Sequence, residues 1–177
     1  MLEPVSILRY VMRQNMRCIL KKTVLWLAVI LLSCRIFAFS ADTREESKRV
    51  SQKITNVVVN VVKKATPSAK QGASWEKQLF RNCHKIVRKS AHFTLYALLA
   101  ALTLLLARSY QISMKFSCAI SAAYSLLFAT SDEIHQLFVD GRGGQFSDVM
   151  LDFSGALFGI GLVLLVRYLY LRQKKIS

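Results

Sequence analysis

Residues 90–107 read SAHFTLYALLAALTLLLA, a stretch with one histidine and no Asp, Glu, Lys or Arg. Its length approaches the roughly 20 residues that a helix needs to cross a bilayer. Outward from it, Lys85, Arg88 and Lys89 lie on the upstream side and Arg108 and Lys115 on the downstream side. An apolar run with basic flanks reads as a membrane span, and the rest of the chain follows the same plan. Of its 177 residues 53% are hydrophobic and only 2 are proline, and its mean hydropathy of +0.33 is high for a soluble domain. The expected class is all-α, an integral membrane bundle of four transmembrane helices with an amphipathic outer helical segment.

The four expected spans cover residues 23–40, 90–107, 116–134 and 149–166. Arg35 interrupts the first, and the third ends at Asp132 and Glu133. The first segment also has features of a signal peptide, with a basic start, an apolar core and Ala38-Phe39-Ser40 before Ala41. Leu32-Ser33-Cys34 faintly resembles a lipoprotein box. Arg35 breaks both patterns, so a retained helix is expected. The spans sit in a domain of residues 23–166, between a basic N-terminus (1–22) and a basic tail (167–177).

Orientation follows from the basic flanks. Arg9, Arg13, Arg17, Lys21 and Lys22 precede the first span. Arg108 and Lys115 bracket the loop after the second, and Arg167, Arg172, Lys174 and Lys175 follow the fourth. An even number of spans places all three groups on one side, expected to be the cytoplasm, with both termini there. The strongly basic segment 41–89 then faces outward, against the simple count. Charge in a longer loop weighs less. This distribution directs the net charge of +15 toward the membrane surface and anionic envelope polymer rather than nucleic acid. Cys18, Cys34, Cys83 and Cys118 share no metal-ligand spacing and read as small apolar packing residues.

Within segment 41–89, Val50, Ile54, Val57, Val58 and Val61 recur at helical spacing opposite Lys48, Arg49, Lys53 and Lys63. That pattern suits a helix lying on the outer interface, although residues 57–62, VVVNVV, would also suit a strand. Pro67 ends it and residues 68–74 read as a turn. A second amphipathic stretch, with Trp75, Leu79, Cys83, Ile86 and Ser90 on one face, runs on into the second span.

Polar residues gather at one end of these spans. Lys85, Lys89 or Arg88, His92 and Tyr96 share a helical face, and Ser125, Ala129, Asp132 or Glu133, and Gln136 share another. Adjacent acids point about 100 degrees apart on a helix, so one of Asp132 and Glu133 should face inward; Glu133, three residues from Gln136, is the choice. Arg142 stands among glycines, where backbone freedom and a planar guanidinium suit phosphate or carboxylate. It could equally pair with Asp132, Asp140 or Asp148 in a plain turn. Asp148 and Asp152 are four apart at the start of the fourth span. Gly155 and Gly159 continue their face as G-x-x-x-G, a close-packing motif that would draw both aspartates into the bundle.

Together Lys89, His92, Tyr96, Glu133, Gln136, Arg142, Asp148 and Asp152 make a candidate ligand site, with His92, Glu133 and Asp148 as catalytic candidates. Such a set can neutralise itself, bind an anionic head group, hold a divalent metal or support acid–base catalysis. The sequence leaves cofactor and metal unknown.

Lys89-x-x-His92-Phe93-x-x-Tyr96, Asp132-Glu133-x-x-Gln136-x-Phe138, Gly141-Arg142 and Asp148-x-x-x-Asp152-x-x-Gly155-x-x-x-Gly159 together resemble the VanZ-like family over residues 23–166. Phe39-Ser40, followed by Ser47 and Ser51, is similar to that family's outer segment. The family often has Asn where Asp152 stands and Gln near Asp42, so exact roles do not carry over at those positions. The resemblance implies a multi-span bacterial membrane protein, widespread in Gram-positive species, with one member linked to low-level resistance to the glycopeptide teicoplanin. It brings no established reaction.

Three readings stay open. The first is an outward-facing site for an anionic envelope component, whose expected partners are membrane lipids and a lipid-linked cell-wall precursor or lipoglycopeptide. The second is an intramembrane enzyme modifying a lipid or lipid-linked precursor, and the third a structural protein with a buried salt-bridge network.

Overall fold

The structure, a computed structural model, describes residues 4–41, 44–65, 73–138 and 145–176, without the side chains at the edges of these segments. The described residues form five helices and no strand: α1 Pro4–Ala41, α2 Arg44–Ala65, α3 Ala73–Ser109, α4 Met114–Gln136 and α5 Phe146–Ile176. Helix α3 is the axis of the molecule and touches all four others, while α4 also packs on α1 and α5. At about 1.5 Å per residue, its 37 residues exceed the bilayer core. The amphipathic stretch before residue 90 and the apolar span are therefore one continuous rod.

Among the described residues three helices are long and apolar enough to cross a membrane: Met12–Ser40, Ser74–Ser109 and Phe146–Lys175. Four were expected, and the count of four is not confirmed. Helix α4 is left out, and the side chains it turns inward explain why. Its buried residues are Ser117, Ser121, Ser125, Ala129, Asp132, Glu133 and Gln136. Outward it exposes Phe116, Ile120, Leu127 and Ile134. Polar residues are in and apolar residues out, the reverse of a helix in water. Small hydroxyl side chains let helix backbones come close, and Ser121 Oγ donates to the Ala100 carbonyl of α3 at 2.7 Å.

A tight turn joins α3 to α4. Gln111 takes the left-handed conformation (φ 64°), Arg108 donates to the Ile112 carbonyl, and Ser113 caps α4 by accepting from Phe116 N. Helix α5 docks on α3 through its two glycines. A Cβ on Gly155 would collide with the Phe93 carbonyl, and one on Gly159 with the Ala97 carbonyl. The apolar core lies along these contacts, with Val29, Ile36, Tyr96, Leu99, Leu106, Ala129 and Val149 in one group. Ala100, Leu104, Ala156 and Ile160 form another.

Residues 57–62 are helical in α2, not a strand. The stripe that was expected to define its apolar face is left open, with Ile54, Val57, Val58 and Val61 exposed. Thr55 and Val59 are the buried residues instead, and Lys63 bridges to Glu76 of α3 at 2.9 Å. The side chains of Val50 and Lys53, and the turn around Pro67, lie outside the described residues.

Candidate functional site

Four helices bring polar side chains to one end of the bundle. The last turn of α1 supplies Ser40, α3 supplies Arg88, Lys89, His92 and Tyr96, the end of α4 supplies Asp132, Glu133 and Gln136, and the start of α5 supplies Asp148 and Asp152. Helical spacing sets each group: His92 and Tyr96 are one turn apart on α3, and Asp148 and Asp152 one turn apart on α5.

Gln136 is the hub. Its amide nitrogen donates toward Ser40 Oγ at 3.2 Å, Asp132 Oδ2 at 3.3 Å and Glu133 Oε1 at 3.2 Å. Its amide oxygen accepts from Arg88 Nη2 at 3.2 Å. Ser40 Oγ donates to Asp132 Oδ2 at 2.6 Å. The Gln145 backbone N–H donates to Glu133 Oε2 at 2.8 Å, fixing the entry to α5 against α4. Lys89 Nζ meets Asp148 Oδ1 at 2.8 Å in a half-exposed ion pair, and Asp148 sits in the first turn of α5, where the helix dipole favours an acid. Deeper in, His92 Nδ1 faces Asp152 Oδ2 at 3.4 Å.

Both adjacent acids of α4 are buried, against the expectation that Glu133 alone would turn inward. Asp132 is 1% exposed and Glu133 6%. The reason is packing on several sides: Asp132 points to Ser40 of α1 while Glu133 points to the start of α5. Asp152 is as buried as Asp132, whereas Asp148 stays at the mouth. Lys85 is exposed. His135 stacks on Phe37 at 4.3 Å, apart from these hydrogen bonds. Arg142 and Asp140 lie outside the described residues.

Within this group four carboxylates (Asp132, Glu133, Asp148, Asp152) face two fixed cations (Arg88, Lys89) and one histidine. Both cations are engaged at the rim, with Gln136 and Asp148. The interior is left rich in acceptors: among the described residues, Asp132 Oδ1, Asp152 Oδ1, Tyr96 OH and Ser125 Oγ are buried without a hydrogen-bond partner. Each such group costs about 1–3 kcal/mol. A cavity of ≈ 10 Å³ lies between Arg88, Lys89, His92, Glu133, Asp148 and Asp152, space for about one water or ion. His92, Asp132 and Asp152 also stand close enough to share a metal ion.

Sequence reasoning singled out Lys89, His92, Tyr96, Glu133, Gln136, Asp148 and Asp152, and the fold brings all seven to this end. It passed over Ser40 and the bond from Arg88 to Gln136. Ser40 had a signal only in the Phe39-Ser40 pair, which carried no role by itself.

A family model, VanZ/LLP1, matches residues 25–167 of the chain. No curated protein matches it, and no solved structure does.

Proposed function

We propose that this chain, which belongs to the VanZ/LLP1 family, is a membrane protein whose polar site faces outward and takes the anionic part of a cell-envelope component. The observation that carries this reading is the rim. Lys89 is 48% exposed and, among the described residues, held by the partly open Asp148, with Arg88 beside it. An exposed ion pair contributes about 0–1 kcal/mol, so Lys89 can leave Asp148 for a phosphate or carboxylate at little cost. The cavity behind it admits no head group, so the ligand engages the mouth from the lipid surface. A phospholipid, a lipid-linked wall precursor and a lipoglycopeptide all present such an anion, which connects the site to glycopeptide (teicoplanin) resistance or envelope homeostasis.

In this reading α4 makes a fourth crossing, since its apolar side faces out, and both termini lie in the cytoplasm of a bacterial cell. Helix α2 then rests on the outer interface with Ile54, Val57 and Val61 in the lipid, beside the site. The test is native mass spectrometry of the purified chain with anionic and zwitterionic lipids. Preferential retention of the anionic lipid, reduced in Lys89→Ala and Arg88→Ala, is expected. Equal retention of both lipids, or no effect of either substitution, would overturn the reading.

One observation favours a second reading, an enzyme acting on a lipid or lipid-linked precursor. Asp152 holds His92 through Nδ1 and leaves the other ring nitrogen for acid–base work. Isolated membranes with labelled envelope lipids should then yield a product that disappears in His92→Ala. No product from the wild type with any added metal would end that reading.

A further inference from the structure

We propose that His92, Asp132 and Asp152 form a binding site for a divalent transition-metal ion of the zinc or manganese type, one residue coming from each of α3, α4 and α5. Each offers one ligand atom, and the three atoms lie within 4.8 Å of one another. The contact between His92 Nδ1 and Asp152 Oδ2, 3.4 Å, is long for a charge-assisted hydrogen bond, which runs about 2.7–2.9 Å. It matches the separation of about 3.3 Å between two ligands bound tetrahedrally at 2.0–2.1 Å.

Unspent bonding capacity points the same way. Among the described residues, Asp132 Oδ1 and Asp152 Oδ1 have no partner, and neither does the hydroxyl of Tyr96. Tyr96 is fully buried, one turn along α3 from His92. Three unpaired oxygens around one imidazole need a positive charge. Among the described residues no lysine or arginine supplies it, because Lys89 and Arg88 are bonded to Asp148 and Gln136. Two buried carboxylates with one histidine are costly alone, and a dication removes that cost.

The surroundings suit a ligand set. Ser40 and Gln136 both donate to Asp132 Oδ2, which fixes the carboxylate and leaves Oδ1 for the metal, as partners behind metal ligands do. One imidazole and two carboxylates select zinc or manganese over calcium or magnesium, whose ligands are oxygen alone. Three protein ligands leave a coordination position open. The adjoining cavity, bounded by His92, Glu133 and Asp152, has room for the water or ligand oxygen that would fill it.

The inference does not depend on an anionic ligand, and its test contains none. The full chain, purified in detergent and stripped with a chelator, is titrated with Zn²⁺ or Mn²⁺ by calorimetry, with thermal unfolding in parallel. One ion per chain and a rise in Tm are expected. Asp152→Asn and His92→Gln, which keep the side-chain size, should weaken binding by about tenfold or more, while Glu76→Gln, at the ion pair with Lys63, should leave it within about threefold. No saturable binding by the wild type would overturn the proposal, whether or not the variants fold. So would unchanged binding in Asp152→Asn and His92→Gln, or saturation by Ca²⁺ or Mg²⁺ alone.

Discussion

The hydroxyl of Ser40 donates to Asp132 Oδ2 at 2.6 Å and joins residues 92 positions apart. It ties the last turn of α1 to the end of α4, so the first helix is part of the polar cluster and not only a neighbour of it. Ser40→Ala would leave Asp132 Oδ2 with Gln136 as its donor. A loss of about 1–3 kcal/mol is expected, read as a lower Tm in detergent. A Tm equal to wild type would show that the bond contributes nothing.

The glycines of α5 give a second prediction with its own control. Gly159→Ala drives a methyl group into the Ala97 carbonyl, whereas Gly161 has open space around its Cβ position. Overpacking of this kind costs about 1–3 kcal/mol. Gly159→Ala should therefore unfold at lower temperature and Gly161→Ala should not.

Helix α4 makes a third. Ser121→Leu places a branched side chain where the hydroxyl touches the α3 backbone and should destabilise by about 1–3 kcal/mol. Leu127→Ala on the exposed side should change Tm little in the same detergent. Equal effects would mean that α4 is not buried by its serines.

The fourth crossing is tested by position. In a chain with its native cysteines replaced, Gln111→Cys and Gln145→Cys should react with an impermeant thiol reagent from opposite sides of a sealed membrane. Labelling from the same side would show that α4 does not cross.

The last prediction separates affinity from stability at the rim. Lys89→Ala removes a half-exposed ion pair and should shift stability by less than about 1 kcal/mol. It should lower retention of anionic lipid, and added salt should reduce retention in the wild type but much less in the variant.

Helices α3 and α5 were legible because their apolar runs are long and nearly free of charge. The G-x-x-x-G motif was legible too, since its packing depends on two small residues alone. Helix α4 was legible as a helix with Ser125, Ala129 and Gln136 on one face, but its standing as a span was not, because hydropathy sums composition and is blind to which way the serines point. The choice between Asp132 and Glu133 failed for a related reason. A helix with one buried face hides one of two adjacent acids, but α4 is enclosed by α1, α3 and α5 and hides both. In α2 the periodicity identified the helix and misjudged its cover, since Thr55 and Val59 are buried while the valine stripe stays open. Ser40 was out of reach: nothing local marks a partner at the far end of another helix.

The inverted faces of α4 bear on how the protein is made. A lone α4 entering lipid would carry its serines and both carboxylates with no partner for them, a cost that reaches about 2.5–3.5 kcal/mol for a charge at the membrane centre and is smaller at the helix end where these acids lie. Helix α3 precedes it in the chain and is joined to it through the turn at Gln111, with the Ala100 carbonyl waiting for Ser121. The two are therefore suited to enter as a hairpin, leaving α5 to seal the acids when it emerges last. The polar stripe is paid for during biogenesis, and substitutions that loosen the hairpin should first appear as lost insertion rather than as a weaker finished protein.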